Sequence, residues 1–184
     1  MTAPTAPTAP SPRAGAGLPG SPALLRSVFR RHAAGVAVIT AESGGRPVGF
    51  TATSLNSVSA DPPLLSFTIG TGSSSWPGVR DSEHLGVHIL GEHQGELAGL
   101  FARNGADRFG PATDWAPGPH GVPVLGSVLA WLVCRIVARV PAGEHRVIIA
   151  EAVAGDPAGD PVGDPGGEAR PLLYHQGRFN ALRD

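Results

Sequence analysis

Residues 49–76 read GFTATSLNSVSADPPLLSFTIGTGSSSW, and the fold turns on how this stretch is read. It begins with small hydroxyl residues: Thr51, Thr53, Ser54, Ser57 and Ser59. Asp61-Pro62-Pro63 breaks the chain, and a short apolar segment follows with Leu64, Leu65, Phe67 and Ile69. Ser73, Ser74 and Ser75 then lead into Trp76 and Pro77. Two hydroxyl-rich edges flank a strand-like apolar piece. That chemistry suits a pocket holding a polar, phosphorylated small molecule with few charges.

The flanking sequence continues in short strands. Ser21 and Pro22 read as the N-cap and first position of a helix with Leu24, Leu25, Val28 and Phe29 on one face, stopping at Gly35. Strands are expected at 36–40 and 47–55, joined by a turn at Gly44-Gly45, and at 64–69. Ser75 is expected to cap a short helix reaching about His84, followed by a strand over 85–90 and a helix over 94–103. In that second helix Leu97, Leu100 and Phe101 face inward. A Gly/Pro-rich loop over 107–123 precedes the longest strand, 128–140, whose even positions are all apolar. A return strand over 145–153, a Gly-Asp-Pro repeat over 155–168 and a last strand at 172–174 complete the chain. Many short strands without regular strand–helix alternation predict a mainly β domain, an antiparallel barrel or sandwich, with short helices.

The 184 residues favour one domain, over 21–184, behind a Pro/Ala-rich tail at 1–20 that is expected to be disordered. Gly15, Gly17 and Gly20 in that tail match a dinucleotide fingerprint. The fingerprint works only between a strand and a helix, but a Pro/Ala tail precedes it here and Pro19 sits inside it, so the match is rejected. A net charge of −1 leaves no basic excess for nucleic acid or an anionic membrane. The single cysteine, Cys134, fits a reducing compartment, and its place among core-facing positions argues against a reactive thiolate. With no secretory signal and no long apolar run, a cytoplasmic location is expected.

The histidines and the serine–arginine set point to two kinds of chemistry. His84, His88 and His93 are close in sequence, but on a strand residues four apart lie about 13 Å apart, too far for one ion. Ser73, Ser74 and Ser75 at a helix start offer N–H groups and hydroxyls to one phosphate, with Arg80, Arg103 and Arg108 as candidate cations. One phosphate held by hydroxyls and amides suits a mononucleotide such as FMN.

Five blocks, GFTATSLNSVSADPPLLSF, SSSW, LAGLFARNGADRF, Gly143-Glu144-His145 and PLLYHQGRFNAL, resemble the flavin reductase-like family, in the family's order over roughly 24–182. The resemblance implies a split β-barrel of the FMN-binding type, acting as a homodimer with the flavin near the subunit interface. It implies NAD(P)H-dependent reduction of FMN or FAD, with NADH or NADPH as hydride donor and a flavin-dependent monooxygenase as recipient of the reduced flavin. Carried over by position, Thr51, Ala52, Thr53, Ser54, Ser57 and Val58 line the flavin ring and ribityl edge. Ser73, Ser74, Ser75 and Trp76 lie near the phosphate, while Phe101, Arg103, Arg108 and Phe109 close over the cofactor. His145 stands where nicotinamide meets flavin, with Tyr174, Arg178 and Phe179 beside it. The family commonly has Asn at position 53 and Asp at position 144, where this chain has Thr53 and Glu144. A flavin-dependent oxidoreductase with its own organic substrate and a non-catalytic flavin-binding module are the competing readings.

Overall fold

The structure, a computed structural model, describes residues 19–157 and 170–182. Most of the tail and most of the Gly-Asp-Pro repeat lie outside these residues. The fold is mainly β, with three short α-helices. Helix α1 (Pro22–Phe29) starts where expected, with the Ser21 hydroxyl accepting from the Leu24 N–H at 3.1 Å. It stops six residues short of Gly35, because Ala34–Gly35 forms strand β1. Its apolar face does not turn inward: Leu25, Val28 and Phe29 are 56–60% exposed.

Strands β2 (Ala37–Ser43) and β3 (Arg46–Ala52) form a hairpin through Gly44 and Gly45, both at positive φ (60° and 78°), which side chains other than glycine resist. Next come β4 (Asn56–Ser59), β5 (Leu64–Gly70), α2 (Trp76–Asp81) and β6 (His84–Ile89), then a 3-10 turn and α3 (Gly95–Ala102). The loop expected at 107–123 contains β7 (Trp115–Pro117), which pairs with β8 (Pro123–Leu125). The long hairpin β9 (Ala130–Ala142) and β10 (His145–Asp156) follows, and β11 (Leu172–His175) and β12 (Arg178–Ala181) end the fold.

Seven strands form one antiparallel sheet in the order β3-β2-β6-β9-β10-β5-β4. Its ladder leaves β3 and β4 as edges and does not close into a barrel. The two sides still approach each other, since the Ser54 hydroxyl just past β3 accepts from the Thr68 amide of β5 at 2.9 Å. One core lies on the face carrying Ile39, Phe50, Phe67, Leu85, Ile136 and Ile148. A second lies under α3 and the 107–123 loop, with Val38, Leu90, Ala98, Phe101 and Leu125.

The alternation expected along β9 holds only in part. Ile149 pairs with Ala138 but Ala150 pairs with Ile136, so Val137 is an extra residue and the strand changes phase there. Cys134 and Ile136 are buried, whereas Leu132 and Val140 are 37% and 45% exposed.

His88 is fully buried, with Nδ1 3.1 Å from the Val38 carbonyl oxygen, and its Nε2 has no partner among the described residues. Burial pushes its pKa down from 6.5 to about 4. The unfolded chain therefore binds a proton that the fold refuses, so stability is full above pH 6.5 and falls as pH drops from 6.5 to about 4. The expected loss is up to roughly 3 kcal/mol. Denaturant titrations at a series of pH values should show this fall in the parent and a flatter profile in His88→Gln; parallel profiles would contradict it.

Candidate functional site

The loop after β5 is fixed at both ends. The backbone N–H and hydroxyl of Thr71 donate to the Glu144 carbonyl at 2.9 and 3.0 Å, tying the loop to the tip of the β9–β10 hairpin. Ser75 is buried, and its hydroxyl donates to the Gly49 carbonyl at 2.7 Å. That bond corrects the expectation of a helix cap, since the Ser75 side chain makes no capping bond to α2. Gly49 itself allows no side chain, because a Cβ would lie 2.8 Å from the Phe101 ring and 2.9 Å from the Ile39 carbonyl oxygen. The loop, β3 and α3 therefore meet closely.

At this junction stands Arg108. Its Nη1 lies 3.4 Å from the hydroxyls of Ser74 and Ser75, its Nη2 donates to the Arg103 carbonyl, and its buried Nε has no partner among the described residues. Desolvation pushes the guanidinium pKa down, because burial penalises its charge. The 3.4 Å bonds are long for charge-assisted ones, so the cation is incompletely satisfied. Asn104 accepts from the Ser74 amide at 3.3 Å and holds the serine in place. A phosphate oxygen fits this pair of a half-buried cation and an exposed Ser74 hydroxyl. The seat rests on Arg108, not on a helix end, since α2 has only six residues. Arg80 is turned away, paired with Asp81 at 2.7 Å on the surface.

The hydroxyl stretch is largely spent on structure. Thr51 donates to the Ala98 carbonyl at 2.7 Å, tying β3 to α3, and Ser54 is bonded to both the amide and the hydroxyl of Thr68. Ala52 is buried, Thr53 and Val58 are exposed, and the hydroxyls of Thr53 and Ser57 make no bond to other described residues. Ser57 opposes Leu65, five residues before Gly70, so it lies about 17 Å along β5 from the serine loop. It lines an apolar cavity of about 540 Å³ with Leu55, Leu65, Val87 and Trp131. No cation is among the described residues lining that cavity, so its size does not make it the phosphate site.

His145 begins β10 and is exposed, opposite Gly70, whose Cβ position lies 3.6 Å from the imidazole. The Arg146 guanidinium lies 5.9 Å from the centre of the Trp76 ring, the distance of a cation–π contact. Trp76 is half-buried against the first core. Glu144 contributes its carbonyl rather than its carboxylate, so the side-chain departure at this position leaves the tie intact.

The remaining block lies elsewhere. Tyr174 and Phe179 contact each other edge to face at 5.5 Å on β11 and β12. Arg178 is exposed at the start of β12. These strands pair with β1 and meet the end of β6 through the Gly91–Pro171 bridge. β6 pairs with the Ala130 end of β9, whereas His145 pairs with Ala142 at its other end. The expected neighbourhood of Tyr174, Arg178 and Phe179 with His145 is therefore not formed within one chain. Phe101 is fully buried and Phe109 packs on it at 5.3 Å, so both serve the second core. Cys134 is buried and its thiol is pushed up to about 12, which keeps it protonated and unreactive. Sequence reasoning missed Thr68, Thr71, Ala98 and Asn104, whose roles depend on backbone carbonyls and register that no residue pattern announces.

If Arg108 is the phosphate cation, Arg108→Gln should weaken FMN binding by about tenfold to a hundredfold and leave riboflavin, which has no phosphate, nearly unaffected. Fluorescence titration of the two flavins measures this, and equal losses for both would contradict it.

Residues 29–183 match the family model of the flavin reductase like domain. The chain is 42% identical over 154 residues to an NADH:FMN oxidoreductase of Rhodococcus erythropolis, covering 84% of this chain and 78% of that protein. It is 34% identical over 157 residues to the reductase component of a 4-nitrophenol 4-monooxygenase/4-nitrocatechol 2-monooxygenase of Rhodococcus opacus, covering 85% of this chain and 79% of that one. A crystal structure of a flavin reductase domain protein from Arthrobacter sp. FB24 superposes with a TM-score of 0.80 at 41% identity, covering 88% of this chain and 96% of that one. With the matched residues spanning both cores and the Arg108 seat, the chain belongs to the flavin reductase-like family.

Proposed function

We propose that this protein is an NADH-dependent flavin reductase that passes its reduced flavin to a partner monooxygenase. The observation that carries the reading is the seat of Arg108 beside the exposed Ser74 hydroxyl, which suits one phosphate group. The flavin, when bound, supplies the hydride-accepting ring, so the chain needs no strong acid or nucleophile. The chain's own residues bind and orient. Arg108 and Ser74 hold the phosphate, and Asn104 keeps Ser74 in position. The free hydroxyls of Thr53 and Ser57 and nearby backbone N–H groups are the donors left for the ring and ribityl chain, since Thr51 and Ser54 are already bonded. His145 projects beside Gly70, which has no side chain to fill the space next to the imidazole. In that space His145 positions the nicotinamide of the donor.

The split-barrel form and the homodimer belong to the same reading. The Ser54–Thr68 bond, which draws the two margins of the sheet together, supports the first. The second is supported by exposed apolar residues on β9 and β10, Val137, Val140 and Val153, at 44–50% exposure. A dimer would also allow a partner's C-terminal strands to approach His145. Sedimentation should give the mass of two chains; a one-chain mass would contradict the dimer.

For the catalytic role, His145→Ala should lower kcat/KM for NADH by about tenfold or more while the FMN dissociation constant stays unchanged. Parallel loss of both, or loss of neither, would remove His145 from the proposed role.

A further inference from the structure

His84, at the start of β6, makes a contact that flavin reduction does not use. Its imidazole lies flat against that of His120, with ring centres 4.0 Å apart and planes 4° from parallel. His120 sits in the 3-10 turn Pro119–Gly121 between β7 and β8. Its φ is 57°, a left-handed backbone that residues other than glycine resist. The pair borders a polar cavity of about 200 Å³ with Glu42, Ser82 and Glu83. Parallel rings do not converge on one ion, and among the described residues no group of three or more His, Cys, Asp or Glu side chains could hold a metal.

The turn also covers a third histidine. A Cβ at Gly86 would lie 2.4 Å from the Thr40 hydroxyl, 2.8 Å from Cε1 of His88 and 3.1 Å from Val122, so these three side chains converge where Gly86 has none. Thr40 is buried and donates to the Pro123 carbonyl at 2.6 Å, and Val122 is buried with it. His88 is fully buried beside them, its Nε2 without a partner among the described residues. Within the turn, the Gly118, Gly121 and Val122 amides donate to the Val122, Gly118 and Pro119 carbonyls at 2.8, 3.1 and 3.2 Å. The turn runs on into β8, which pairs with β7. There the Trp115 ring N–H donates to the Phe109 carbonyl at 3.3 Å, one residue beyond Arg108.

The closed turn holds two imidazoles where they resist being charged together. One proton leaves a cation stacked on a neutral ring, and a second sets like charges against each other at 4.0 Å. Glu42 of β2 and Glu83 beside His84 favour a charged ring. Arg135 of β9, the ladder partner of His84, opposes it, although it is itself paired with Glu151 of β10. Arg139 of β9 also opposes it, and donates to the Ser82 carbonyl. Burial prevails over the carboxylates: His84 is pushed below the ordinary histidine value, first by desolvation and then by His120. An opened turn separates the rings and uncovers His88, so it binds more protons than the closed turn, and acid favours opening. We propose that the stacked histidines are an acid-released clasp: above about pH 6.5 the neutral rings hold the 118–123 turn shut over His88, and their protonation below that pH opens it. Opening slackens the β7–β8 hairpin, and with it the Trp115 bond to the chain next to Arg108.

The test uses the full-length protein without added ligand, so its outcome is independent of the flavin reading. Hydrogen exchange is followed at the Gly118, Gly121 and Val122 amides at pH 7.5 and pH 5.5, and each rate is divided by that of the unfolded chain at the same pH. The turn should exchange faster than the β9–β10 ladder at both pH values, because it opens locally; turn and ladder exchanging at one rate would overturn the clasp. Protection of the turn should fall on acidification, and by about tenfold more in the parent than in His120→Asn. Asparagine accepts the left-handed backbone and takes no charge, so it removes the repulsion while His88 stays as it was. No fall in the parent, or equal falls in parent and variant, would refute the proposal. If His120→Asn does not fold, His84→Gln takes its place, with the same result expected and the same result contradicting it.

Discussion

The bond from the buried Ser75 hydroxyl to the Gly49 carbonyl holds the functional end of this molecule together. It pins the loop after β5 onto β3, which leaves Ser74 at the surface, where Arg108 reaches it. Gly49 makes the approach possible, because any Cβ there would strike Phe101 and the Ile39 carbonyl. The same loop is tied to the hairpin tip by Thr71, so the serine loop and His145 share one rigid frame. Replacing the Ser75 hydroxyl would orphan a buried carbonyl and loosen both ties, a cost of about 1–3 kcal/mol.

The electrostatics of that end follow from burial rather than from net charge. The chain as a whole is nearly neutral, at −1. Arg108 nevertheless offers concentrated positive potential, because it is partly desolvated and, among the described residues, has no carboxylate partner and an unpartnered Nε. A surface arginine such as Arg80, neutralised by Asp81, contributes little by comparison. One well-placed cation with an exposed hydroxyl beside it can thus give a protein of low charge density a candidate anion receptor.

The sequence made some features legible and hid others for physical reasons. Turn chemistry located the Gly44-Gly45 hairpin and the start of α1, because glycine at positive φ and a serine N-cap are local requirements. The serine loop pointed to a candidate phosphate receptor from residue type, but residue type left Arg80, Arg103 and Arg108 as equal candidates for its cation. What could not be read depended on partners distant in sequence. Thr51, Ser54 and Ser75 looked like ligand-facing hydroxyls, but Ala98, Thr68 and Gly49 take them. The phase change at Val137 hid which face of β9 is buried, and β4 escaped notice because three of its four residues are polar and it pairs only along β5. The C-terminal block was expected beside His145, yet it sits at the opposite end of the β9 ladder, a separation only topology reveals.

These features join into a mainly β scaffold whose closely tied end presents Arg108 beside the Ser74 hydroxyl, a space beside His145 and few groups capable of acid–base chemistry. Such a site serves a reaction in which the bound flavin and its hydride donor carry the electrons and the protein supplies placement. The most direct measurement is anaerobic mixing of the protein with NADH and an excess of free flavin while the visible absorbance of the flavin is followed. The account predicts multiple-turnover bleaching that far exceeds the protein concentration. Bleaching limited to one equivalent, or none above the rate without protein, would contradict it.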